Sequence, residues 1–177
     1  MGKQYEHISV DHMEFIRAQK LYFCATAAAE GRVNLSPKGS DTLRVLDENR
    51  VVWLNLTGSG NETAAHLLEN TRMTLMFCAF EGSPKILRLY GNADVVYPGD
   101  AVWDELYGMF EPRLGARQLY DMRVDLVQTS CGFGVPYYDY AGERDKLRSF
   151  ENDHGEEGIR DYWATRNATS IDGKPTR

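Results

Sequence analysis

The chain has 177 residues, of which 42% are hydrophobic and 26% charged, and a formal net charge of −6. That size and balance describe one soluble globular domain with a real core, and no apolar run is long enough to span a bilayer. The acidic charge excludes nonspecific binding to nucleic acid or to anionic membranes, and any bound phosphate must be held by local donors against the overall field.

The N-terminal MGKQYEHIS lacks the apolar core of a signal peptide, so a cytoplasmic protein is expected. Asp11 is placed to cap a helix over residues 12–20. Short strands follow at 22–28, 32–36, 42–46 and 50–56, separated by turn residues. Residues 62–69 have helix-forming composition, and Ser59-Gly60-Asn61-Glu62 fits a capping box. Residues 73–80 and 85–96 flank Glu81-Gly82-Ser83-Pro84 as a hairpin. A second helix is expected from Asp100 to about Phe110, continuing over 113–120 after Pro112. Residues 123–130 form the last strand, in which Val124, Leu126 and Gln128 alternate with Asp125, Val127 and Thr129. Beyond Pro136 the chain is charged, with helices expected at 143–152 and 156–166 and a frayed tail over 170–177.

Short strands in hairpin order with few helices between them predict a mainly β domain with flanking α, built as an antiparallel barrel. No linker divides the chain: the core spans about residues 20–140 and a helical extension spans 141–177. The apolar content of 50–56 and 73–80 exceeds what one small barrel buries. This predicts an exposed remainder and hence a homodimer.

The richest stretch for function is 49–77. A strand that ends in Thr57-Gly58-Ser59-Gly60 and opens a helix leaves several amides free, which suits an anion such as a phosphate. Thr63 stands where a dinucleotide loop has its third glycine, and no Gly-Lys-Ser/Thr follows, so a P-loop is excluded. Cys24, Cys78 and Cys131 are odd in number and lack CxxC spacing, as in a reducing compartment. Cys131, in a Gly-rich bend with no adjacent cation, reads as a buried structural thiol. The four histidines show no ligand spacing, so no metal site is expected. Lys85 and Arg88 lie on opposite faces of their strand, so at most one can point at a cofactor.

The ordered set Asn34-Leu-Ser-Pro-Lys-Gly39, Val51-Val-Trp-Leu-Asn55, His66-Leu-Leu-Glu-Asn70, Arg72-Met-Thr-Leu-Met-Phe77 and Tyr90-Gly91-Asn-Ala93 resembles the pyridoxamine 5'-phosphate oxidase-like FMN-binding split barrels. Gln128-Thr-Ser-Cys-Gly-Phe-Gly-Val-Pro136 resembles a segment of one uncharacterised branch of that family. The resemblance runs from about residue 22 to 140. It implies a six-stranded antiparallel split barrel that dimerises and places one flavin in each of two grooves at the interface. The implied function is an FMN-dependent oxidoreductase acting on a small-molecule substrate, or a flavin reductase. The alternatives are a noncatalytic binder of flavin, deazaflavin or a tetrapyrrole, and a deazaflavin-dependent reductase.

By the same resemblance, Lys38 contacts the cofactor, and Trp53 and Leu54, followed by Asn55, line the isoalloxazine. Thr57, Gly58, Ser59, Gly60, Asn61 and Thr63 hold the phosphate. The residues alone leave alternatives open: Lys38 as a solvated turn lysine, and Trp53, on one face with Val51 and Asn55, as core or dimer interface. Two departures matter. The resembling oxidases begin the helix with an Arg-Lys pair that grips the FMN phosphate, where this chain has Thr63 and Ala64, implying weaker FMN binding. They also end in a substrate-binding Arg-Leu-x-Pro segment, whereas this chain ends Ser-Ile-Asp-Gly-Lys-Pro-Thr-Arg, which argues against vitamin B6 chemistry.

Overall fold

In the computed structural model, which describes residues 2–177, the β-branched and aromatic runs form one antiparallel sheet. Its strands are β1 (Lys3–Tyr5), β2 (Tyr22–Thr26), β3 (Asn34–Lys38), β4 (Leu43–Asp47), β5 (Arg50–Leu56), β6 (Arg72–Cys78), β7 (Ile86–Val96) and β8 (Ala116–Ser130). The helices are α1 (Val10–Ala18), α2 (Glu62–Leu67), α3 (Trp103–Tyr107) and α4 (Lys146–Arg166). The ladder runs β3-β2-β6-β7-β8-β5-β4, with β1 on β8, and no pairing joins β3 to β4 among the described residues. Eight strands replace the implied six. The polar, exposed β1 carries no strand signal of its own and exists by pairing Gln4 with Gln128.

β8 overturns the expected helix at 113–120. It begins at Ala116 and lies between β5 and β7, with Leu119 paired to both Leu54 and Val96. Residues 116–120 are all buried, so they show none of the alternation by which a half-buried strand is recognised. Further along, Tyr90 pairs with Leu126 but Gly91 with Val124, leaving Asp125 as the extra residue of a β-bulge. The bulge brings Val124 and Val127 into the same core, although strict alternation places them on opposite faces. Gly91 is needed opposite it, because a Cβ there would overlap the Arg123 carbonyl oxygen.

Ser9, not Asp11, caps α1. Its Oγ accepts the His12 N–H at 3.3 Å while His12 Nδ1 accepts the Ser9 N–H at 3.2 Å. The Ser59–Glu62 capping box does not form. Asn61 precedes α2 without a side-chain cap, and Glu62 Oε1 instead accepts the Ile171 N–H at 3.0 Å. α3 is shorter than expected, at five residues. α4 is interrupted at Gly155 (φ 62°, ψ −177°), in accord with two separate C-terminal helices. The tail is not frayed. Thr169 bridges Pro175, Thr176 is buried, Asp172 pairs with Arg32, and Lys174 pairs with Glu69 at 2.6 Å.

Each face of the sheet carries a core cluster. Val51, Trp53, Leu75, Phe77, Leu89 and Tyr120 belong to one core cluster, which takes in Ile16 of α1 and Ala64 of α2. Val52, Leu54, Val96 and Leu119 pack with Trp103, Leu106 and Phe110 on and just after α3. Residues 50–56 and 73–80 are therefore almost wholly covered within one chain, which removes the exposed remainder expected there. The large exposed apolar side chains are elsewhere, among them Val33, Leu35, Phe133 and Tyr137. Among the described residues no helix is long and apolar enough to cross a membrane.

Candidate anion-binding cleft

β3, the end of β5, the loop over 57–61, the start of α2 and the start of β8 enclose a cleft of about 260 Å³. Of the residues singled out from the sequence, Lys38, Asn55, Gly58, Ser59, Gly60, Asn61 and Thr63 line it. Asn34, Ser36, Glu62 and Arg117 complete the lining. The other three lie outside. Trp53 is fully buried beside the cleft, with Lys38 Nζ 5.1 Å from its ring centroid. The Leu54 side chain lies in the α3 cluster, because successive residues of β5 face opposite sides. Thr57 is buried, its Oγ1 donating to the Gly115 carbonyl at 3.1 Å and accepting the Trp163 Nε1–H at 2.8 Å.

Amides and hydroxyls fix the walls. Asn55 Nδ2 donates to Gln118 Oε1 at 2.8 Å and to Asn61 Oδ1 at 3.2 Å, tying β5 to β8 and to the start of α2. Asn34 Nδ2 donates to Thr63 Oγ1 at 3.2 Å, joining β3 to α2. A helix of six residues carries little dipole, so charge in the cleft comes chiefly from side chains.

Those charges are Arg117 and Lys38. Arg117 is 6% exposed, and burial lowers its pKa from 12.5 to about 10. Its Nη1 donates to Asn167 Oδ1 at 2.6 Å and its Nη2 to the Gly60 carbonyl at 3.1 Å. Its Nε has no partner, and the same holds for Trp53 Nε1. Burial also lowers the Lys38 pKa below 10.5, and the Arg117 charge adds to that effect. Among the described residues neither cation forms an ion pair, and Glu62, the one carboxylate lining the cleft, already accepts the Ile171 N–H. Two cations without carboxylate partners, beside hydroxyl and amide groups, are a donor set able to accept an anion.

Arg117 is the residue that sequence reasoning missed, since it lies in the segment expected to be helical. The available signal is the adjacent polar pair Arg117-Gln118 between apolar residues. Cys131 also differs from expectation: it is exposed, just after the end of β8. Cys24 and Cys78 are the buried thiols, and burial pushes the Cys24 pKa up to about 11.

An antiparallel sheet with flanking helices and a polar cleft beside its β5–α2 loop defines a class of fold rather than one activity. Residues 9–131 match the family model described as pyridoxamine 5'-phosphate oxidase, and the chain belongs to that family. Over 196 residues it is 33% identical to the pyridoxamine 5'-phosphate oxidase family protein ustO of Aspergillus flavus, a match covering 97% of this chain and 76% of that protein. Among solved structures it is similar to a histidine-to-alanine variant of HupZ from Group A Streptococcus, with TM-score 0.56 and 18% identity, covering 70% of this chain and 99% of that one. A candidate pyridoxamine 5'-phosphate oxidase from Lactobacillus delbrueckii gives TM-score 0.55 and 15% identity, covering 70% and 94% respectively. At these identities the structural likeness is one of fold.

Proposed function

We propose that this protein is an FMN-dependent oxidoreductase that acts on a small-molecule substrate or as a flavin reductase. The observation that supports it is Arg117, a buried guanidinium with a free Nε and no carboxylate partner, sharing a cleft with Lys38. A lone buried cation is costly to keep, and an anionic ligand offsets that cost. The phosphate of FMN fits this donor set: Arg117 and Lys38 would hold it, with Ser59, Asn61 and Thr63 adding neutral donors. The loss of the Arg-Lys pair at the start of α2 is thus met in part by a cation from β8. Deazaflavin is the alternative cofactor.

When bound, the flavin supplies the hydride or electron transfer. The chain's part is to bind and orient it, and Lys38 provides a fixed positive charge that favours added negative charge in the cleft. With Glu62 engaged by the tail, no general acid or base is assigned, which suits a reaction limited to hydride or electron transfer.

A volume of about 260 Å³ falls below the range of roughly 300–1,000 Å³ usual for cofactor sites. A second protomer supplying the opposite wall accounts for the difference, and Leu35 of β3 and the neighbouring Val33 are exposed close to the cleft residues of β3. Oxidation of pyridoxamine phosphate at a useful rate is not expected. That substrate needs its own phosphate clamp, yet Lys174 is paired with Glu69 and Arg177 lies over the Tyr97 ring, 5.0 Å from its centroid.

The test is reconstitution of the purified protein with FMN, followed by its visible spectrum on adding a reduced pyridine nucleotide. Bleaching that reverses in air is expected. A bound flavin that stays oxidised favours a noncatalytic binder of flavin, deazaflavin or a tetrapyrrole. Failure to retain FMN more tightly than riboflavin would remove the phosphate site itself.

A further inference from the structure

We propose that Asn167, at the end of α4, is a positioning residue for Arg117 and makes the C-terminal extension a working part of the anion site. The proposal rests on the reading of the cleft as a phosphate site. Asn167 lies beyond the residues that match the family model, yet it is 2% exposed and reaches into the cleft wall. Its Oδ1 accepts from Arg117 Nη1 at 2.6 Å, while its Nδ2 donates to the Gly58 carbonyl at 3.1 Å. One amide therefore holds both the cation and the loop that carries Ser59 and Gly60. A neutral amide orients the guanidinium without neutralising it, whereas a carboxylate at that position would consume its charge.

Asn167 is itself fixed from two sides. Its backbone N–H donates to the Trp163 carbonyl at 3.0 Å, and its carbonyl accepts Thr176 Oγ1 at 2.7 Å. Tyr97 then holds the Thr176 carbonyl through its hydroxyl at 2.7 Å. Trp163, one turn earlier in α4, donates to Thr57 on the same loop. The end of α4 therefore docks on the cleft wall through hydrogen bonds, while Ile159, two turns earlier, is its buried apolar residue.

Fluorescence titration of the full-length protein with FMN and with riboflavin, which lacks the phosphate, separates positioning from mere support. In Asn167→Ala, affinity for FMN should fall about tenfold or more, the scale of a lost charge-assisted contact, while riboflavin affinity is unchanged. Equal weakening of both ligands, or a retained preference for FMN, would overturn the proposal. Should that variant fail to fold, Asn167→Asp keeps the size of the side chain and sets a carboxylate against the guanidinium. It too should lose the preference for FMN, and its retention would equally overturn the proposal. A wild-type protein that shows no preference for FMN rejects the phosphate-site reading, and the role of Asn167 with it.

Discussion

Replacing Arg117 by methionine should leave the unliganded protein about as stable as before while removing most of the stabilisation that FMN confers. Lowering the guanidinium pKa from 12.5 to about 10 corresponds to a penalty of about 3 kcal/mol at about 1.36 kcal/mol per pH unit. Because the folded value lies below the unfolded one, this penalty is present in full below about pH 10 and is relieved only as pH rises through that value. Neutral buffer therefore reads all of it. Against the relief stand the lost bonds to Asn167 and Gly60, together worth about 3 kcal/mol, so the net change stays within about 1–2 kcal/mol. FMN at a hundred times its Kd stabilises the wild type by about 2.7 kcal/mol, a rise in Tm of roughly 5–11 °C for a chain of this size. Loss of a charge-assisted contact of about 1.5–3 kcal/mol leaves the variant about 0.3–1.3 kcal/mol at the same FMN concentration. Differential scanning fluorimetry with and without FMN reads both quantities. A variant several kcal/mol less stable when unliganded but with an undiminished FMN shift would make Arg117 a structural residue and refute the reasoning.

Three further outcomes follow from other parts of the molecule. FMN affinity should rise as pH passes about 6, where a phosphate takes its second charge, and fall at alkaline pH earlier than for a solvated lysine, because burial lowers the Lys38 pKa; riboflavin titrated in parallel should stay flat over the acid limb. Glu151→Ala should cost about 3–5 kcal/mol in urea unfolding, since Arg113 and Glu151 form a nearly buried bidentate pair at 2.8 and 2.9 Å, and a loss below about 1 kcal/mol would contradict that burial. A thiol reagent should find one fast-reacting cysteine in the native protein, Cys131, and three in denaturant, whereas rapid native labelling of Cys24 would contradict its position in the core.

How far the fold can be read from the residues depends on whether the signal is local. β5 is legible from end to end because its β-branched run is bounded by Asn49 on one side and Thr57-Gly58 on the other. The cleft loop is legible for a similar reason, being contiguous in sequence, and this is why seven of the residues singled out there and nearby meet in space. The first half of β8 is not, because a strand buried on both faces loses the period-two pattern and its Arg117-Gln118 pair is no stranger in a helix. The docked tail is invisible for another reason. Its anchors are Arg32 and Glu69, more than a hundred residues from Asp172 and Lys174, and turn composition alone is the same in a docked tail as in a loose one.

Counting charges along the start of α2 predicts weakened phosphate binding, but such a count leaves out cations that the fold brings in from distant strands. In a chain of net charge −6, what an anion meets is set by the cations within a few ångströms of it and by how poorly water screens them. Lys38 comes from the second strand of one hairpin and Arg117 from a strand roughly eighty residues later, and only the ladder β3-β2-β6-β7-β8 relates them. Both line the same cleft, and there the charge on Arg117 helps to lower the pKa of Lys38. Two like charges are held close, largely buried and unneutralised, although five more exposed arginines of the same molecule each find a carboxylate. Stability alone would favour pairing or removing them. Their position beside hydroxyl and amide groups suits an anion, which makes the ratio of FMN to riboflavin affinity the measurement on which the functional reading turns.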